Sequence, residues 1–160
     1  MSHAANALAL LQKHVGSEEG VGEWFLMDQE RINAFADATL DHQFIHIDPQ
    51  KAAELSPYKV TIAHGFLTLS MVVHLSGKIP PVEPKAYEGL VMAVNYGLDK
   101  VRFPAPVKVD SRIRARRSLA GVEQKATGTL QLKQVVTIEI EGEDKPGCVA
   151  ETLTRFIYKD

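Results

Sequence analysis

Two acids and two imidazoles crowd one short stretch of this sequence, Asp41-His42-Gln43-Phe44-Ile45-His46-Ile47-Asp48-Pro49, and His64-Gly65 follows eighteen residues after His46. A carboxylate and an imidazole close together can hold and polarise one water molecule, and Asp41 and His46 are the candidates for that pair. Gly65 opens an apolar segment that reads as a helix. The first N–H groups of a helix have no intrahelical acceptor and sit at its positive end. Glycine there lets a ligand approach the backbone closely. Such parts suit chemistry beside a carbonyl, where negative charge develops on oxygen. Spacing alone leaves a second reading open, in which Asp41 makes a turn and His46 packs beneath it. Asp48 is explained by capping before Pro49. His42 and His46 stand four apart, as metal ligands on a helix would. Phe44-Ile45 and the Asp-Pro restart argue for a loop instead, so no metal site is expected.

These residues need elements to position them. Residues 4–14 read as a short helix ending at Gly16. Val21–Met27 is a strand candidate, and Asp28 an N-cap for a helix with Ile32, Phe35 and Ala36 on one face. Leu40–Ile47 reads as a loop, Asp48-Pro49 as the start of a short helix, and 64–77 as a helix apolar almost all round and buried on most sides. From Gly89 the pattern changes. Val91–Leu98, Val107–Leu119, Ala126–Ile140 and Cys148–Tyr158 are rich in β-branched residues and alternate in places, as antiparallel strands with one solvated face do. Gly121, Gly142 and Pro146-Gly147 are placed at the joins. One buried helix before four long strands predicts an α+β fold in a single domain over 1–160.

The bulk numbers exclude several classes. At net charge -2 the chain lacks the basic surplus of a nucleic-acid binder resting on bulk charge. The apolar run at 66–75 is too short and too interrupted to span a bilayer. The N-terminus is unlike a signal peptide, and Cys148 as the lone cysteine allows no intrachain disulfide. A cytoplasmic protein without nucleic-acid or membrane partners is expected.

Asp41-x4-His46-x-Asp48-Pro49 followed by Thr61-Ile62-Ala63-His64-Gly65-Phe66-Leu67 resembles the MaoC-like family, which includes the (R)-specific enoyl-CoA hydratases. The lead-in Phe35-Ala36-Asp37-Ala38-Thr39 fits it too. Asn95-Tyr96-Gly97 and Val101-Arg102-Phe103-Pro104-Ala105-Pro106-Val107 look like its NodN-type subgroup. The likeness covers roughly 25–120. It implies a hot-dog fold, an antiparallel sheet wrapped around a long central helix, and a homodimer with active sites near the subunit interface. It also implies reversible hydration of trans-2-enoyl thioesters, on coenzyme A, to (3R)-3-hydroxyacyl thioesters, with no cofactor beyond the coenzyme A of the substrate. In the family, the residues matching Asp41 and His46 hold the water, and the N–H matching Gly65 binds the thioester oxygen.

Two positions depart from the family pattern. Leu40 stands where glycine is usual, and Tyr58-Lys59-Val60 where Phe-Gly is common, so side chains are added near the acyl entrance. His64, Asn95, Arg112 and Arg114 are candidate substrate or carrier contacts. The arginines, with Arg116 and Arg117, would meet coenzyme A phosphates. A structural histidine, sheet packing and a solvated strand face are the respective alternatives. His74 is expected to be a satisfied core histidine. Competing functions are an acyl carrier protein dehydratase, a hot-dog thioesterase and a non-catalytic acyl-thioester-binding module. The thioesterase needs a carboxylate on or beside the central helix, and 64–78 carries none.

Overall fold

In the computed structural model, which describes residues 1–159, three helices start on a capping side chain. Ser2 accepts from Ala5 N–H at the start of α1 (His3–Gln12). Asp28 accepts from Arg31 N–H ahead of α2 (Gln29–Thr39), and Asp48 from Lys51 N–H ahead of α4 (Pro49–Leu55). Between the last two, Phe44–Ile47 forms a single helical turn, α3, where a loop was expected. Its N–H groups find local acceptors, with His46 N–H on the Gln43 carbonyl and Asp48 N–H on that of Phe44.

The central helix is α5 (Gly65–Ser70) running into α6 (Val72–Ser76). Met71 N–H bonds the Leu67 carbonyl and Leu75 N–H that of Met71, so the two share one continuous ladder. Leu67, Met71, Val72 and Leu75 are buried against Ile113, Ala115, Val136, Ile138 and Ala150 of the sheet. The other side of the helix is not covered: Phe66 is 69% and Val73 62% exposed, which corrects the expectation of burial on most sides. His74 is also exposed rather than in the core, its ring edge-on to Phe25.

The expected strand over 21–27 is two short ones, β1 (Glu18–Val21) and β2 (Phe25–Met27), both antiparallel to β4 (Ser111–Ala126). The other long strands are β3 (Leu90–Arg102), β5 (Thr129–Ile140) and β6 (Cys148–Tyr158). The sheet order is β1-β4-β5-β6-β3, with β2 also on β4. Gly121, expected at a join, lies within β4 at a register shift, and Gly128 makes the turn to β5. The α+β arrangement is thus an antiparallel sheet with the central helix on one face. A second cluster, Ala4, Ala7 and Leu11 against Leu119, Leu130, Leu132 and Phe156, seats α1 on the far end of the same strands. Among the described residues, no helix is long and apolar enough to cross a membrane.

Candidate active site

His46 is held from two sides. Its Nδ1 lies 2.7 Å from the Ile62 carbonyl oxygen, which only accepts, so Nδ1 carries the proton and Nε2 keeps a lone pair. Its backbone carbonyl accepts from Gln29 Nε2 at 2.7 Å, and Thr61 Oγ1 donates to Gln29 Oε1. Gln29 therefore ties α2, the turn α3 and the segment before α5 together. Nothing in the sequence marked Gln29, and Thr61 stood out only as part of the motif before the central helix. Gln29 sits in the first turn of a helix, and only its partner thirty-two residues on gives it meaning. The ring is 6% exposed, and burial lowers its pKa from the ordinary 6.5. The Ile62 bond and the Asp41 charge pull the other way, and His64 adds to the lowering.

Asp41 follows Leu40, which ends α2 in the left-handed region at φ 63. A non-glycine residue rarely adopts that conformation, and the Leu40 side chain projects into solvent at 80% exposure. The Asp41 carboxylate is half-exposed, and its backbone carbonyl accepts from buried His64, with Nε2 at 3.0 Å. The His64 ring stacks on that of His46, with centroids 3.8 Å apart and planes at 24°. One polar atom from each of Asp41, His46 and His64 lies within 4.8 Å of the others. Two hydrogen bonds of about 2.8 Å meeting at a tetrahedral angle span about 4.6 Å, so a separation at the upper end of that range would seat one water between the carboxylate and an imidazole. The same trio suits a metal poorly. Stacked rings keep their in-plane lone pairs in two nearly parallel planes about 3.8 Å apart, whereas tetrahedral ligands aim at one point. His42 turns away to pair with Asp37 at 2.8 Å.

Gly65 begins α5 directly beside this trio. The N-cap His64 makes no side-chain capping bond, so the N–H groups of the first turn are not consumed by the residue best placed to take them. A Cβ at Gly65 would meet the Phe103 ring at 3.1 Å, so glycine here allows that aromatic ring close to the backbone. Farther along the helix, Leu69, Val72 and Val73 line an apolar cavity of about 310 Å³ with Asn95, Tyr96 and Leu98 of β3. Leu69 and Val73 are four and eight residues beyond Gly65, about 6 and 12 Å along the axis.

Arg112 and Arg114 are not brought to this site. Ile113 and Ala115 point into the core, so the arginines lie on the opposite face of β4. There Arg112 pairs with Glu141 at 3.1 Å and Arg114 with Glu139 at 2.7 Å, and both lie over Trp24. Arg116 joins Glu139 and Glu18 on that face. Arg117 points inward to the buried carboxylate of Glu19, which also accepts from Gln134, and it donates to the last turn of α6 at Ser76.

The MaoC like domain family matches residues 11–141. The 3-hydroxyacyl-thioester dehydratase Z of Mycobacterium tuberculosis is 47% identical over 151 residues, 94% of this chain and 96% of that protein. Nodulation protein N of Rhizobium leguminosarum bv. viciae is 45% identical, over 92% of this chain and 89% of the relative. Among solved structures, an R-hydratase of Pseudomonas aeruginosa superposes with a TM-score of 0.65 at 19% identity, covering 91% of this chain and 83% of its own, which places the two in one hot-dog fold. With the family match spanning most of its length, the chain belongs to the MaoC-like dehydratases.

Proposed function

We propose that the protein is an enoyl-thioester hydratase, and in reverse a 3-hydroxyacyl-thioester dehydratase, acting through Asp41, His46 and Gly65. The observation that carries this reading is the Asp41–His46–His64 cluster, drawn within 4.8 Å beside the start of the central helix. Kinship with a protein named for 3-hydroxyacyl-thioester dehydration supports the reaction class.

The steps follow from the proton positions. The thioester oxygen accepts from Gly65 N–H at the positive end of the helix, which draws electrons from C3. A water bound between Asp41 and His46 attacks C3 as His46 Nε2 takes one of its protons. The C2–C3 π electrons pass through C1 to the thioester oxygen. When this enolate collapses, the imidazolium returns the proton to C2, leaving a hydroxyl on C3 and a hydrogen on C2. Asp41 orients the water and offsets the transient charge on His46. We assign the acyl chain to the apolar cavity beside Asn95 and take the carrier to be coenzyme A. A homodimer formed through β3 completes the reading.

Incubation with crotonyl-CoA and longer trans-2-enoyl-CoA esters, with chiral product identification, tests it. The expected product is the (3R)-hydroxyacyl ester. Release of free coenzyme A thiol would point to a thioesterase. Turnover of acyl carrier protein esters alone would reassign the carrier.

A further inference from the structure

The hydration reading gives His64 no step, yet it is among the most constrained side chains in the site. It is 3% exposed, with the Phe35 ring centroid 5.0 Å away and the His46 ring stacked on it at 3.8 Å. Its Nε2 meets the Asp41 carbonyl oxygen, so that nitrogen must carry the hydrogen. Nδ1 is then a bare acceptor, and it is buried with no donor in reach. An orphaned buried acceptor is unfavourable, and an apolar residue would fill the same space without it. Meanwhile Asp41 has few other anchors. Leu40 before it is strained and exposed, its own carboxylate is half in solvent, and its bond to Gln43 N–H is long at 3.4 Å.

We propose that His64 is a positioning residue of the hydration reaction, fixing Asp41 through its backbone carbonyl and the ring plane of His46 by stacking. The inference rests on the hydratase reading for its kinetic consequence, not for its geometry. One buried residue thereby sets the separation between the two groups that share the water. Small losses of such alignment reduce rate far more than affinity.

Two substitutions separate the parts. His64→Gln places an amide N–H close to where Nε2 stood and keeps the bond to Asp41. His64→Phe keeps a stacking ring and loses the bond. Both are checked for folding by circular dichroism, then assayed with crotonyl-CoA beside the wild type. His64→Phe is expected to lose on the order of tenfold to a hundredfold in kcat with KM little changed, and His64→Gln to recover part of that loss, the remainder measuring the stack on His46. A folded His64→Phe protein with wild-type kcat overturns the proposal, as does a Gln variant no better than Phe. Nitrogen-15 spectra of the imidazoles, recorded without substrate, give an answer independent of activity. The expected form of His64 is protonated at Nε2, and the His42 amide signal, next to the Asp41 carbonyl, should broaden or double in the Phe variant only. Protonation at Nδ1 in the neutral protein overturns the proposal. A wild type inactive on every enoyl ester would defeat the hydratase reading while these spectra still decide the placement of Asp41.

Discussion

The proton on His46 Nδ1, committed to Ile62, leaves a single nitrogen for chemistry, and this sets how the site responds to pH. Burial is the largest influence on that ring and favours its neutral form. The base is therefore expected to be ready above a pKa below 6.5, and the acid limb of kcat/KM for crotonyl-CoA should fall there. A limb above 6.5 would count against His46 as the base. Stability carries the same sign. Between the folded pKa and 6.5 the unfolded chain binds more protons, so stability is complete above 6.5 and declines as pH falls through that window. Thermal melts of His46→Gln, compared with wild type, should lose part of this pH dependence. Asp41→Asn and His46→Gln are each expected to lower kcat by on the order of a hundredfold or more. With both acting on one water, as proposed, the double variant should be little worse than the worse single one. Additive losses would mean that the two act on different atoms. The Asp41–His46 pair was visible in the sequence because its residue types are rare together and its neighbours match a family motif. Gln29 and the Ile62 carbonyl were not, since a backbone acceptor has no residue type and Gln29 is an ordinary helical polar residue.

At the scale of elements, the long strands were legible from their β-branched and apolar composition, including β3, which is exposed. Strands β4, β5 and β6 pack one face on the helix, and their alternation showed in the sequence. The turn α3 did not, because four residues are less than a helical period can mark. Gly121 looked like a join because glycine punctuates both turns and bulges. Gly22 shows what such a residue does when packing is tight. A Cβ there would come 2.8 Å from the Leu75 carbonyl oxygen of α6, which as helix backbone cannot move aside cheaply. Gly22→Ala is expected to cost about 1–3 kcal/mol, read as a lowered urea midpoint. Gly121→Ala, whose Cβ meets only Lys133 at 4.0 Å, should change the midpoint little and serves as the control. The β4 arginines make a parallel case. Arg112 and Arg114 already face glutamates. Replacing both by Ala is expected to affect KM for coenzyme A esters and short pantetheine esters alike. A selective loss on the coenzyme A esters would restore a phosphate-binding role.

For the molecule as a whole, the least satisfied feature is β3. It pairs with β6 on one edge only, and from Val91 to Lys100 every residue is exposed, including Val91, Met92, Val94, Tyr96 and Leu98. A long apolar edge strand invites pairing with another chain. Phe66 and Val73 extend the same apolar character onto the central helix, and the cavity lined by Asn95 opens between them. A twofold pair of chains joined along β3 would cover the strand and wall off that cavity, and closed twofold dimers are the commonest assembly. Sedimentation equilibrium at micromolar concentration is expected to give twice the chain mass of 17.6 kDa. Met92→Lys with Val94→Lys places charges along the strand in both copies, away from the cavity lining, where like charges repel across the junction. This variant should sediment as a folded monomer, because β3 keeps its bonds to β6 and neither side chain is buried in the single chain. On the proposed assembly its activity on longer enoyl esters should fall more than on crotonyl-CoA, since a long acyl chain would depend most on a cavity wall from the second copy. A wild type that sediments as a monomer while fully active would remove the dimer from the account. A monomeric variant with unchanged chain-length preference would separate β3 pairing from the acyl site.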